Sequence, residues 1–425
     1  MSCPFRFIHA SDFHLERPLF GLAAVPEHLR ELFVDAPYLA ARRVFDAALA
    51  EEVDFMVLAG DLAEPEMAGP GGPLFLVEQF KRLQERGIAV YWAGGQVDPP
   101  EAWPASIALP DNVRVFSRQR PEEVVHHRDG ERLARLVGFS RRRGHKIRPG
   151  DFWPDSKGPF SIALTYGTGD NAALAARGID YWALGGRHTQ DTHHDGRCLL
   201  HYPGTVQGRE PAEPGPRGCT LVQVIEGPPQ LRQVPCDVVR WLDEAVEVDE
   251  TTTADALRQM LGRRLQSLAA ATPGLDLLVS WTADGGGKLL DELGRGTLAA
   301  RLLAGLNEEF GRRRPAVFST RLAVAPLREW PADWCEQDTI LGDFVRTVRR
   351  LVPHRKAAAG GSSSEAPMLD LVELSAGLEN LLSERHRAGT LADGVRLGDE
   401  KTRRRVLAKA AALGADLLRG EEPKT

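Results

Sequence analysis

Two short apolar runs, each leading straight into metal-ligating side chains, constrain this chain more than any other feature. Phe5 to Ala10 reads as a strand and leads into Ser11-Asp12-Phe13-His14, and Phe55 to Ala59 reads as a second and leads into Gly60-Asp61. Residues two apart on a strand face the same side, so Asp12 and His14 are expected to reach one metal ion together. Asp61 stands at the carboxyl end of the neighbouring strand, the edge where open α/β sheets build their sites. Mixed imidazole and carboxylate donors suit Mn²⁺, Fe²⁺ or Zn²⁺. A lone Asp-x-His is weak evidence; followed by a second strand ending in Gly-Asp it is much stronger.

The pattern of the first 240 residues agrees with such a sheet. Apolar runs at 88–93, 112–116, 133–139, 161–164 and 181–184 read as further strands, and 220–224 with 230–234 as a closing hairpin. Helical spacing separates them at Tyr38–Glu51 and Leu74–Arg86. Alternation of this kind predicts an α/β domain, a layered sandwich with helices outside. A second region, about 241–356, carries helical spacing at Thr253–Ser267 and Leu298–Phe310 and strand-like runs at Leu275–Trp281 and Ala316–Val324, and reads as a small α/β cap. Ala357–Pro367 (AAAGGSSSEAP) reads as a flexible linker, and the remainder to residue 425 as amphipathic C-terminal helices.

Composition narrows the class. The 425 residues are 43% hydrophobic and 26% charged, with a net charge of −6, as in ordinary soluble globular proteins. The five cysteines form no Cys-x-x-Cys pair, so neither a disulfide framework nor a structural zinc site is expected. A reducing cytoplasm is the expected location, with no secretory leader and no membrane span.

Five segments stand in order: FIHASDFHLERPLFGL, VDFMVLAGDL, GIDYWALGG with Arg187 and His188 after it, YPGTVQGREPAEPGPRGCTLVQV and, at Thr339–Arg346, TILGDFVR. On these the chain resembles the SbcD-like branch of the calcineurin-like metallophosphoesterases, and most of all its YhaO-type bacterial members, over roughly residues 5–350. The resemblance implies a four-layer αββα sandwich (1–240), a cap (241–356), and a C-terminal part (357–425) able to dock a partner. It implies two metal ions, Mn²⁺ foremost. One ion would take Asp12, His14, Asp61 and His188. The other would share Asp61 and use the positions that here hold Gln96, Tyr166 and Gly186. The family's catalytic histidine falls on Val97. One site therefore reads as kept and the other as dismantled, with one ion expected and hydrolysis weak or absent.

By the same resemblance the activity would be that of a DNA exonuclease acting in repair. The alternative is a non-catalytic DNA-binding or scaffold subunit of an SbcC-like coiled-coil ATPase; a homodimer is also implied. His193, His194 and His201 stand near enough in sequence to refill a gap, although Thr192–Gly196 reads more simply as a polar hairpin turn. His9 reads as structural, His126 and His127 as surface residues, and Asp98 as fixing its loop. Arg209 and Glu213 read as structural residues of the segment that closes the domain. Between Arg114 and Arg148 lie eleven Lys or Arg and four Asp or Glu, densest at Arg141, Arg142 and Arg143. That excess suits a phosphate backbone or an ordinary ion-paired loop. Trp92, Trp103, Trp153 and Trp182 suit base stacking less well than core packing.

Overall fold

Strand β1 (Phe5–Ala10) is the hub of the sheet that positions the site. It pairs in parallel with β2 (Phe55–Leu58), which is followed by β3 (Ala89–Ala93) and β4 (Val113–Phe116). On its other side β1 pairs antiparallel with β11 (Gly218–Val224), which carries β12 (Gln230–Pro235). A second six-stranded sheet runs in the order β5 (Glu122–Arg128), β6 (Glu131–Phe139), β7 (Phe160–Tyr166), β8 (Tyr181–Gly185), β10 (Cys198–Tyr202), β9 (Asp191–Asp195). This computed structural model describes residues 4–351 other than 142–145, 155–157, 197, 226, 295 and 326–331, together with residues 414 and 418.

The layers follow from which faces are apolar. The central strands β1, β2, β3, β7 and β8 are covered on both faces, so their runs are continuously apolar rather than alternating. The helices Arg30–Ala50 and Gly71–Gln84 lay Ala40, Val44, Phe45, Leu76 and Phe80 on Ile8, Met56, Leu58 and Val90 of the first sheet. Its opposite face packs Phe7, Phe55 and Val57 against Leu136, Ile162, Tyr181 and Leu199 of the second. Phe7 and Phe55 stack at 5.0 Å between ring centroids, an arrangement worth about 0.5–1.5 kcal/mol beyond the area it buries. The outer face of the second sheet takes Leu174 and Ala175 from the short helix Asn171–Ala175, with Phe152 beside them. The result is the expected αββα sandwich.

Strands β5, β9 and β10 were not legible as strands. Thr192 to Asp195 lie in β9, an exposed edge strand, and not in a turn; the turn follows at Gly196. A three-stranded sheet, β13 (Val239–Val248), β14 (Asp276–Gly285) and β15 (Val317–Val324), comes later. By its internal contacts the chain divides into two units. One comprises residues 1–246, 254–281 and 301–322, and the other comprises 247–253, 282–300 and 323–425. In the first unit Trp241, Leu278 and Ala316 share a core with Leu29, Phe33 and Val239. The expected C-terminal helices lie outside the described residues, apart from positions 414 and 418.

Polar pairs cross the core between the two large sheets. His9 Nδ1 meets the Tyr181 hydroxyl at 2.9 Å, and His201 Nε2 meets Thr220 Oγ1 at 2.7 Å; within the second sheet His201 Nδ1 also meets Thr192 Oγ1 at 2.8 Å. Burial lowers His201 from 6.5 to about 4, with His194 adding to the shift. The unfolded chain therefore binds the proton first. Stability is full above pH 6.5 and falls as the pH drops towards about 4, by roughly 3 kcal/mol at most for one such group. Chemical unfolding at a series of pH values is expected to show this slope, reduced by about one proton in His201→Gln. Parallel slopes in the two proteins would remove His201 from the account. His126, expected on the surface, is buried: its Nδ1 lies 2.9 Å from the Tyr91 hydroxyl, because the alternation of β5 turns it inward.

Candidate metal centre

The candidate residues converge on the carboxyl ends of the parallel strands. Asp12 and His14 follow β1, Asp61 follows β2, and Gln96, Val97 and Asp98 follow β3. Tyr166 ends β7, and Gly186 and His188 follow β8. Asp12 and His14 do share a direction, although not by the strand periodicity expected of them. Strand β1 stops at Ala10, and Asp12, His14 and Asp61 all adopt left-handed backbone conformations, with φ of 55°, 48° and 56°. Non-glycine residues in that region cost about 1–3 kcal/mol each and gather at functional sites. Backbone hydrogen bonds hold the two loops so: Asp12 N–H donates to Gly60 O at 2.9 Å, His14 N–H to Asp61 O at 3.0 Å, and Leu15 N–H to Leu62 O at 3.1 Å.

Asp12, His14 and His188 offer one carboxylate oxygen and two ring nitrogens, all within 4.8 Å of one another. Gly186 N–H (3.0 Å) and Ser11 Oγ (2.6 Å) both donate to Asp12 Oδ2, which leaves Oδ1 buried without a hydrogen-bond partner. Both His14 ring nitrogens are likewise buried and unpartnered. His14 Nε2 stands 3.8 Å from Asp61 Oδ2, and Nδ1 stands 3.8 Å from Glu64 Oε1, each too long for a hydrogen bond. Burial lowers His14, which favours the neutral ring that a metal needs. Burial and the Asp61 carboxylate push Asp12 up to about 7, a load that a cation would relieve. Orphaned buried donors of two ligand types around one point fit a divalent transition metal.

Asp61 borders this cluster but is held by the protein. Its Oδ1 accepts the backbone N–H groups of Gln96 (2.5 Å) and Val97 (2.9 Å), and its Oδ2 accepts the Tyr166 hydroxyl at 2.6 Å. Gln96 and Val97 thus reach Asp61 through backbone alone, and the Gln96 side chain is exposed. Burial and the neighbouring carboxylate raise the Tyr166 phenol far above its usual range, so it remains a donor.

The Tyr166 ring lies in a slot made by three glycines. A Cβ at Gly60 or Gly95 would come within 2.8 or 2.9 Å of Tyr166 Cδ2, and one at Gly186 within 2.9 Å of Cζ. Tyr166 therefore excludes any side chain at Gly186. Arg141 lies over the same ring, its guanidinium carbon 5.9 Å from the centroid. Asp98 ties the loops together, accepting from Asp61 N–H (2.8 Å), Gly95 N–H (2.6 Å) and Leu62 N–H (3.0 Å).

The other histidines do not join the cluster. His193 and His194 are exposed on β9, and both ring nitrogens of His201 are engaged by threonines. Glu213 does join it, a contact that sequence reading missed: its Oε1 lies 2.7 Å from His188 Nδ1. Part of the basic excess of residues 114–148 is paired within the protein. Arg114 meets Glu122, Arg118 meets Glu101, Arg128 meets Asp54 and Arg135 meets Glu123. Arg142 and Arg143 lie outside the described residues. Trp92 and Trp182 are core residues, and Trp153, 38% exposed, donates to Glu123.

No protein-family model matches the chain. An uncharacterized metallophosphoesterase, YhaO of Bacillus subtilis (strain 168), is 34% identical over 269 residues, which cover 60% of this chain and 66% of YhaO. The chain belongs to the metallophosphoesterases. This metallophosphoesterase spans a little under two thirds of the length of that relative. Among solved structures, a dimetal phosphatase from Danio rerio is 10% identical, with 53% of this chain and 98% of the other covered and a TM-score of 0.33. Zinc-bound Vps29 from Entamoeba histolytica is 12% identical, with 55% and 99% covered and a TM-score of 0.25. Likenesses of that size carry no argument about the site. Among the described residues, no helix is long and apolar enough to cross a membrane.

Proposed function

We propose that this metallophosphoesterase is a one-metal protein that binds phosphodiesters, DNA foremost, and hydrolyses them weakly or not at all. The observation that carries the reading is the Tyr166 hydroxyl seated on Asp61 Oδ2 at 2.6 Å, with the ring filling the slot between Gly60, Gly95 and Gly186. Asp12, His14 and His188 would hold the ion, with Asp61 at their border. A bound divalent cation supplies a Lewis-acid contact for a phosphoryl oxygen. Asp12 stays fixed through Ser11 and Gly186, so its free oxygen keeps one direction. Val97 has no proton to give, and the loss of general acid–base help alone is typically worth about 10²–10⁴-fold in rate. For DNA as the ligand the support is the SbcD-like motif order. A coiled-coil ATPase of the SbcC kind is the partner that the same resemblance proposes.

The test pairs binding with turnover. With Mn²⁺ added, the chain is expected to retain a fluorescent DNA in anisotropy measurements while leaving linear DNA and a chromogenic phosphodiester essentially intact. Rapid hydrolysis that disappears in His188→Ala would overturn the weak-activity reading.

A further inference from the structure

We propose that Glu213 is a positioning residue: it fixes the ring orientation and tautomer of His188, and through them the affinity of the site for metal. The inference rests on the metal-site reading above. The two histidines of the cluster are held in different ways. The His14 side chain is 3% exposed and is locked by packing, whereas that of His188 is 41% exposed. Packing alone leaves such a ring free to turn, so something else must aim it.

Glu213 is placed to do so. It is buried, and its Oε1 stands 2.7 Å from His188 Nδ1. Its other oxygen accepts the Arg209 backbone N–H at 2.8 Å, and the Arg209 guanidinium approaches Oε1 at 3.9 Å. A carboxylate surrounded by donors accepts, so the ring N–H must lie on Nδ1. The opposite tautomer would set two lone pairs face to face at 2.7 Å. Nε2 is thereby left with its lone pair, the form a metal ligand requires. The Arg209 guanidinium also lies 3.4 Å from Nδ1, but the Glu213 contact at 2.7 Å is much the shorter and decides the tautomer. The backbone of His188 is fixed as well: its carbonyl accepts from Thr205 N–H at 3.1 Å and from the Arg217 guanidinium. The segment 209–217 therefore does more than close the domain; it orients the only ligand of the three that faces solvent.

The experiment uses the full chain with Glu213→Ala and the near-isosteric Glu213→Gln. Mn²⁺ affinity is read by titration calorimetry, and the His188 ring nitrogens by ¹⁵N NMR of the metal-free protein. Partners that orient a ligating histidine are typically worth about 10–100-fold in metal affinity, and that loss is expected for Glu213→Ala. Glu213→Gln is expected to fall between it and the parent in affinity. The parent His188 is expected as the Nδ1–H tautomer, and Glu213→Ala as a mixture. Equal Mn²⁺ affinity in all three folded proteins, or an Nε2–H tautomer in the parent, would overturn the proposal. A parent that binds no Mn²⁺ but shows the Nδ1–H tautomer, lost in Glu213→Ala, would instead defeat the metal reading and leave the hold of Glu213 on the ring standing.

Discussion

A chain carrying Gln96→Asn, Val97→His, Tyr166→His and Gly186→His together hydrolyses a chromogenic phosphodiester at least about 10²–10⁴-fold faster than the parent with Mn²⁺, the scale of general acid–base help alone. Gly186→His by itself yields no activity and a less stable protein. The difference is steric. With Tyr166 in place, the new Cβ would stand 2.9 Å from Cζ and 3.1 and 3.2 Å from the ring's two Cε atoms. Gly186 also has φ of +93°, which a histidine adopts only under strain. Overpacking and strain together are expected to cost about 2–4 kcal/mol. With Tyr166→His the overlap disappears and the backbone strain remains, so the two substitutions are expected to couple favourably by roughly 1–2 kcal/mol in a double-mutant cycle. Additive costs, or full tolerance of Gly186→His alone, would show that the Tyr166 ring does not occupy the slot as described.

Asp98→Ala is expected to be the most damaging single change near the centre. The Asp98 carboxylate is 4% exposed and accepts three backbone N–H groups from the loops after β2 and β3. Truncation strands three buried donors, each at about 1–3 kcal/mol, for a combined loss of roughly 3–9 kcal/mol. Asp98→Asn keeps one acceptor oxygen but turns an amide NH₂ towards an N–H donor, so a smaller loss of about 1–3 kcal/mol is expected. Both are read from denaturant unfolding. A loss below 1 kcal/mol in the alanine variant would mean that water or a shifted loop satisfies those groups.

Much of this centre could be read from the sequence because ligand types and strand ends are local signals. Asp12, His14 and Asp61 each follow a short apolar run, and the runs at 5–10 and 55–58 form strands in place. The mixed pattern of β5 and the short β10 were harder, since the first is half exposed and the second is a brief buried run before a proline. The left-handed backbone at Asp12, His14 and Asp61 is only weakly signalled by residue type, since Asp and His are enriched there but mostly lie elsewhere. The slot for Tyr166 has no such signal: its three glycines lie at 60, 95 and 186, and only folding sets them around one ring. Glu213 was missed because its partner lies 25 residues away, with no motif spacing to connect them.

The most direct test counts metal. Protein stripped with chelator, reloaded with Mn²⁺ and freed of excess ion is analysed for metal per chain. About one equivalent is expected, lost in His14→Ala and raised towards two in the fourfold variant. Two tightly held equivalents in the unaltered chain would contradict a centre whose second place is filled by Tyr166.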